Sequence, residues 1–249
     1  MNLLSVAGII ASISLFIPII IIIVFGLFYN RSFLALAANY LIVGIHNLMI
    51  QDVIVTTKGV AQSVGIVCDL LDAPLMLIFL IFFRISSKTT KQIFNTLFIF
   101  LGFEVVTLLL FGFSVKAVEI ILGPDTILIL VLSFIFCIRN VRLAITNSKA
   151  LGKAVMASSV FVSYAIFSLV YVFYFLLRNP QYQEGARLLY YLVTLLSALL
   201  MSAGIVIENK RIKKLGELKN TRRELAAIYG EKKISSSDKN SGFFDIRSN

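Results

Sequence analysis

Seven long apolar runs fill the chain between Leu3 and Ile207, and they fix its solvent before any motif is read. About 20 apolar residues, rising 1.5 Å each as a helix, cover a hydrocarbon core of roughly 30 Å. The expected fold class is therefore all-α: a polytopic membrane protein, a single seven-transmembrane-helix bundle. The runs place the spans at 5–29, 33–56, 62–83, 92–114, 117–138, 154–177 and 187–207. With 59% hydrophobic and 14% charged residues, the 249-residue chain leaves no room for a separate soluble domain. Met1-Asn2 supplies no basic leader segment, and the first run is too long for a cleaved leader's core, so it is expected to remain a span.

Charge sets the expected orientation. The first, third and fifth connections carry Arg31; Arg84, Lys88 and Lys91; and Arg139, Arg142, Lys149 and Lys153. The second, fourth and sixth carry only Lys58; Lys116; and Arg178 and Arg187. Basic residues stay on the cytoplasmic side, so the N-terminus is expected outside and the C-terminus in the cytoplasm, across the cytoplasmic membrane. Asn179-Pro180 breaks the chain before the last span. The net charge is +10, and 11 of the 23 Lys and Arg lie between Lys210 and Arg247. Domain 1–209 is thus the membrane bundle. Segment 210–230, with Ile212, Leu215, Leu218, Leu225 and Ile228 among its charges, reads as a basic amphipathic helix, either at the inner surface or as a continuation of the seventh helix. Segment 231–249 reads as a disordered tail. Nucleic acid is not an expected partner, because the basic residues sit on no folded domain.

Ionisable residues within spans mark functional sites. Asp69 and Asp72, three apart in the third run, share a helical face, and two adjacent carboxylates in low dielectric hold one proton between them. Pro74 follows them. The second run carries Asn39, His46, Asn47, Gln51 and Asp52, a polar stripe unsuited to lipid. His46, the only histidine, is in reach of Asp69 or Asp72 if the second and third helices adjoin. Asp52 is expected near the outer end, in water. Glu104 lies inside the fourth run and needs a partner or a proton. Glu119 and Asp125, near the outer start of the fifth run, are expected at the interface.

Hydroxyls recur at helical spacing in the last two spans, as Tyr164, Ser168, Tyr171 and as Tyr190, Thr194, Ser197. Such faces either line an aromatic pocket or bond helix to helix. Ser202, Ala203 and Gly204 permit close packing of the seventh span. Cys68 and Cys137 lack ligand spacing and read as small packing residues, so no metal site is expected. No cofactor is specified.

Asp69-Leu70-Leu71-Asp72 resembles the first half of the CDP-alcohol phosphotransferase pattern, but Ala73 replaces its glycine and no second aspartate pair follows. The third span is similar to the third helix of microbial rhodopsins: Asp69, Asp72, Pro74, then Leu75-Met76-Leu77. Ser197-Ala198 resembles the dipeptide before the retinal-binding lysine in some of those proteins, yet Leu199 follows and no lysine occurs in the seventh span. The resemblance therefore implies a rhodopsin-shaped protein without covalent retinal. No Asp-Arg-Tyr or Asn-Pro-x-x-Tyr pattern points to the G-protein-coupled receptors.

Together these readings lead us to expect a sensory or ligand-binding protein. A small apolar ligand would be held by Asp69, Asp72, His46, Asn47, Tyr164, Tyr171, Tyr190, Thr194 and Ser197. The bilayer and a cytoplasmic partner of the basic tail would be its other partners. A proton-coupled transporter with Glu104 as relay is the alternative, and an intramembrane lipid-acting enzyme the next.

Overall fold

The computed structural model describes residues 3–83, 87–146, 150–177 and 180–229. The expected disorder of 231–249 lies outside them. Among the described residues the secondary structure is helical throughout: α1 (Leu3–Ser14), α2 (Phe16–Val24), α3 (Arg31–Ile50), α4 (Lys58–Leu80), α5 (Ser87–Phe111), α6 (Val115–Thr146), α7 (Leu151–Tyr171) and α8 (Pro180–Tyr229). Short 3-10 turns follow α2 and α4, and a π-helical segment, Val172–Leu177, follows α7. Seven helical stretches, α1 and α2 counting as one, are long and apolar enough to cross a membrane. The chain is a multi-pass membrane protein. It divides into two units, Met1–Asn209 and Lys210–Asn249.

Four boundaries differ from the sequence-based expectation, each for a local reason. The first span is not continuous but breaks at Leu15 between α1 and α2. Pro18 has no N–H to give the Ser14 carbonyl, and its ring crowds that turn. The second span ends at Ile50, not near residue 56. Gln51 ends the helix and Asp52 turns the chain with φ 55°, a left-handed conformation that short polar side chains tolerate. At its start, the Asn30 side chain accepts from the Ser32 N–H at 3.0 Å and caps the helix. The fifth span runs on to Thr146, so Arg139 and Arg142 are helical residues, not part of a connection. The seventh begins at Pro180, which suits the first helical position because its missing donor is not needed there.

Contacts between helices define two ends of the first unit. At one, His46 of α3 lies against Gly65 of α4, and Tyr171 of α7 donates to the Glu119 carbonyl of α6 at 3.1 Å. At the other, Phe33 of α3 meets Phe79 and Phe82 at the end of α4, and Phe83 meets Phe136 of α6. So α3 and α4 run antiparallel, as do α6 and α7. The first is called the Gln51 end and the second the Phe83 end.

The Phe83 end is filled with apolar side chains. Phe33, Leu36, Leu77, Phe79, Leu80, Phe83, Ile129, Met156, Met201 and Ile205 are all buried in one cluster. The rings of Phe79 and Phe83 pack edge to face, 5.4 Å between centroids, the geometry aromatic quadrupoles prefer. Two cations cap the terminal turn of α4 above this plug. Arg139 Nη2 donates to the Phe83 carbonyl at 3.2 Å. Lys153 Nζ donates to that of Phe82 at 3.4 Å and lies 4.7 Å from its ring centroid. Positive charge is favourable at a helix C-terminus.

Close helix crossings rest on glycine. A Cβ at Gly152 of α7 would lie 2.6 Å from the Glu208 backbone nitrogen. Gly204, one of the small residues expected to allow close packing, meets Met156 in the same way, while Ala203 is exposed.

Candidate functional site: a one-sided polar ladder

Polar side chains gather in the half of the bundle towards the Gln51 end. Nearest that end, Gln51 Nε2 donates to the Tyr191 hydroxyl, tying α3 to α8. One turn deeper, Asn47 and Tyr190 share a hydrogen bond of 3.2 Å between Nδ2 and the phenol oxygen. Deeper again, Asp72 of α4 accepts two short hydrogen bonds, from Asn39 Nδ2 of α3 and from the Tyr164 hydroxyl of α7, both 2.7 Å. Tyr40 of α3 lies in the electrostatic field of Asp72, beside Ser197. Asp72 is 14 residues into α4, about 21 Å along the helix at 1.5 Å per residue.

Beside this clamp, on α6 and α5, lie two carboxyls with little support. Asp125 of α6 is 1% exposed, and neither of its carboxyl oxygens has a hydrogen-bond partner. Glu104 of α5 is 5% exposed, and its Oε1 is likewise unpartnered. Asp125 lies in the electrostatic field of Asp72, Glu104 and Asp69. Around them a small apolar cluster of Ala73, Phe100 and Ile121 packs with Leu70, Phe103 and Leu128.

The structure thus unites some expected site residues and separates others. Asp72, Tyr164 and Asn39 meet directly, as do Asn47 and Tyr190. Asp69, half-buried, shares the field of Asp72. No hydrogen bond among the described residues joins His46 to either aspartate; its Nε2 lies instead 2.7 Å from where a Cβ on Gly65 would sit. Thr194 and Ser197 are buried, but their hydroxyls bond back to the carbonyls of Tyr190 and Thr194 in their own helix. Ser159 of α7 donates to the Ser197 carbonyl at 2.8 Å, so this face of α8 is a packing face. Tyr171 is engaged with the Glu119 carbonyl, towards the Gln51 end.

Asp125 corrects the sequence-based expectation: it is not interfacial. Because α6 starts at Val115, Asp125 is ten residues deep, about 15 Å. It falls in a buried stripe of Val118, Ile121, Ile129, Ser133 and Phe136 at steps of three and four. That periodicity is visible in the sequence. Tyr40 is a further site residue, and the sequence carries no signal for it beyond its place beside Asn39. Asp52, by contrast, is exposed where the chain turns, outside the helix.

Open, apolar clefts among the described residues include one of about 360 Å³ (between Val141, Ile145, Leu151, Val155 and Leu200) and one of about 370 Å³ (between Ile99, Phe103, Pro124 and Leu128). Neither is lined by Asp72 or its two donors. Among the described residues no group of three or more His, Cys, Asp and Glu side chains is placed to hold a metal ion. Comparison of the chain with protein-family models, with curated proteins and with solved structures finds no match.

Proposed function

We propose that this chain is a sensory or ligand-binding protein of the cytoplasmic membrane, with its N-terminus outside, its C-terminus inside and a site entered from the outer face. One observation carries the reading: the polar residues form a ladder from the Gln51 end down to Asp72, and the aromatic plug closes the other end. Such an arrangement supports access from one side and argues against an open path through the membrane. The positive charges at the Phe83 end support the orientation, Arg139 and Lys153 among them.

The mechanism centres on Asp72. Its two hydrogen bonds hold α3 and α7 against α4. A small ligand carrying a donor or a cationic group, on an otherwise apolar body, competes with Tyr164 or Asn39 for this carboxylate. Displacing Tyr164 frees α7 from α4, and α7 is packed on α8 through Ser159 and Gly152. The ligand's preference for the displaced state is what shifts the equilibrium. With no lysine in the seventh span, a covalent retinal is not part of the reading.

The test is native mass spectrometry with an absorbance spectrum, on protein taken from its own membrane in mild detergent. A retained small molecule, lost in Asp72→Asn, is the expected result. Apoprotein alone, with Asp72→Asn indistinguishable in every binding assay, would overturn it. A proton-coupled carrier is the second reading, favoured by the burial of Glu104. Substrate flux in proteoliposomes, abolished by Glu104→Gln, would establish that reading in place of the first.

A further inference from the structure

Asp125 and Glu208 are the most buried carboxyls among the described residues, each 1% exposed, and neither carboxyl oxygen of Asp125 has a hydrogen-bond partner. Three helices pack against α6 and present their titratable groups to it. From α4 come Asp69 and Asp72, from α5 Glu104, and from α7 Tyr164 and, towards the Gln51 end, Tyr171. All are acidic or neutral. An ionised Asp125 would therefore lack a counter-charge, lack donors and face further carboxylates, the costliest arrangement for a buried charge. Asp72 differs, because Asn39 and Tyr164 both donate to it and stabilise its anion.

We infer that Asp125 and Glu104 form a buried proton-binding pair that stays protonated at neutral pH, while Asp72 carries the negative charge of the cluster. The ligand class is the proton and not a metal cation, because the carboxyls do not converge as a cation's ligands must. The two kinds of carboxyl are linked. The anion at Asp72 opposes ionisation of Asp125, so neutralising Asp72 eases proton release from Asp125. The assignment holds whether or not a small molecule binds at Asp72.

Infrared spectroscopy of the full chain in lipid nanodiscs, with carboxyl-¹³C aspartate, tests it without any added ligand. The expected result at neutral pH is a carbonyl stretch of protonated carboxylic acid that shifts with the label. It should weaken in Asp125→Asn by the Asp125 component, leaving only what the Asp69–Asp72 pair contributes, and the Asp125 component should persist in Asp69→Asn. Asparagine is nearly isosteric with the neutral acid, so Asp125→Asn should fold with an unchanged or higher melting temperature. If that variant fails to fold, glutamate labelling with Glu104→Gln reads the other half of the pair. No labelled protonated band in the wild type, or a full band in Asp125→Asn, overturns the proposal. So does sodium at fixed pH if it removes the band and raises the melting temperature, since that marks a cation site. A failed search for a ligand at Asp72 leaves this readout untouched.

Discussion

The Tyr164 hydroxyl donates to Asp72 Oδ2 at 2.7 Å, while Asn39 takes the other oxygen at the same distance. One carboxylate thus joins α7, α4 and α3 with both its oxygens occupied. Tyr164→Phe should keep the ring packing and lose one donor to a charged acceptor. The expected loss is about 1–2 kcal/mol, since hydrogen bonds within membranes fall at or below the range for soluble charged pairs. Asn39→Ala should cost a similar amount. The double variant should lose more than their sum by at least about 0.5 kcal/mol, because both act on one carboxylate. Additive losses in detergent unfolding titrations would show that the two donors work independently.

Gly152 and Gly59 separate a packing glycine from a permissive one. Gly152→Ala would drive a methyl to 2.6 Å from the Glu208 nitrogen and force α7 from α8. Overpacking of this kind costs about 1–3 kcal/mol. A methyl on Gly59 would meet nothing within 4 Å, and Gly59→Ala should be neutral or stabilising by up to about 1 kcal/mol. Melting temperatures of the two variants should diverge; equal values would contradict the α7–α8 crossing.

The plug at the Phe83 end should act as a seal. Phe83 is 1% exposed and touches Phe79, Phe82 and Phe136. Phe83→Ala should open space there and raise passive proton leak in proteoliposomes carrying a pH-sensitive dye. A second change, Asp72→Asn, should suppress the added leak if protons enter by the polar ladder. An unaltered leak in Phe83→Ala means that other layers suffice to seal the bundle.

Orientation has a direct readout. A fluorescent protein fused after the C-terminus should glow, and a periplasmic phosphatase fused there should be inactive. The opposite pair of results would reverse the orientation drawn from Arg84, Lys91, Arg139 and Lys153.

Much of the helical plan was legible, because a spanning helix needs a run of apolar residues and seven are present. Boundaries were less so. Apolarity does not stop at Ile50, but the helix does, since Asp52 turns the chain; nor does helix stop at the first arginine of α6. Within the site, Asp72, Tyr164, Asn47 and Tyr190 could be named as polar residues out of place in lipid. Their partners could not, since pairing across 92 or 143 residues depends on how helices are rotated and paired. Asp125 was misplaced because it lies only eight residues into the fifth apolar run, whereas in the folded chain its face of α6 is buried against neighbouring helices. His46 looked like a natural mate for an aspartate, yet no hydrogen bond among the described residues joins them, and its ring lies against Gly65.

The depth of Asp72 also makes the site an electrical one. Counted from the start of the apolar run at residue 62, a positive charge that travels from the Gln51 end to this carboxylate passes roughly half of a 30 Å hydrocarbon layer. Full passage is worth about 2.3 kcal/mol per charge at 100 mV, so this partial passage is worth about 1.2 kcal/mol. In the proposed orientation an inside-negative potential draws the charge inward. If the ligand proposed for Asp72 is a cation, its occupancy should vary roughly sevenfold per 100 mV, and an energised membrane and a depolarised one would then present the same chain with different affinities.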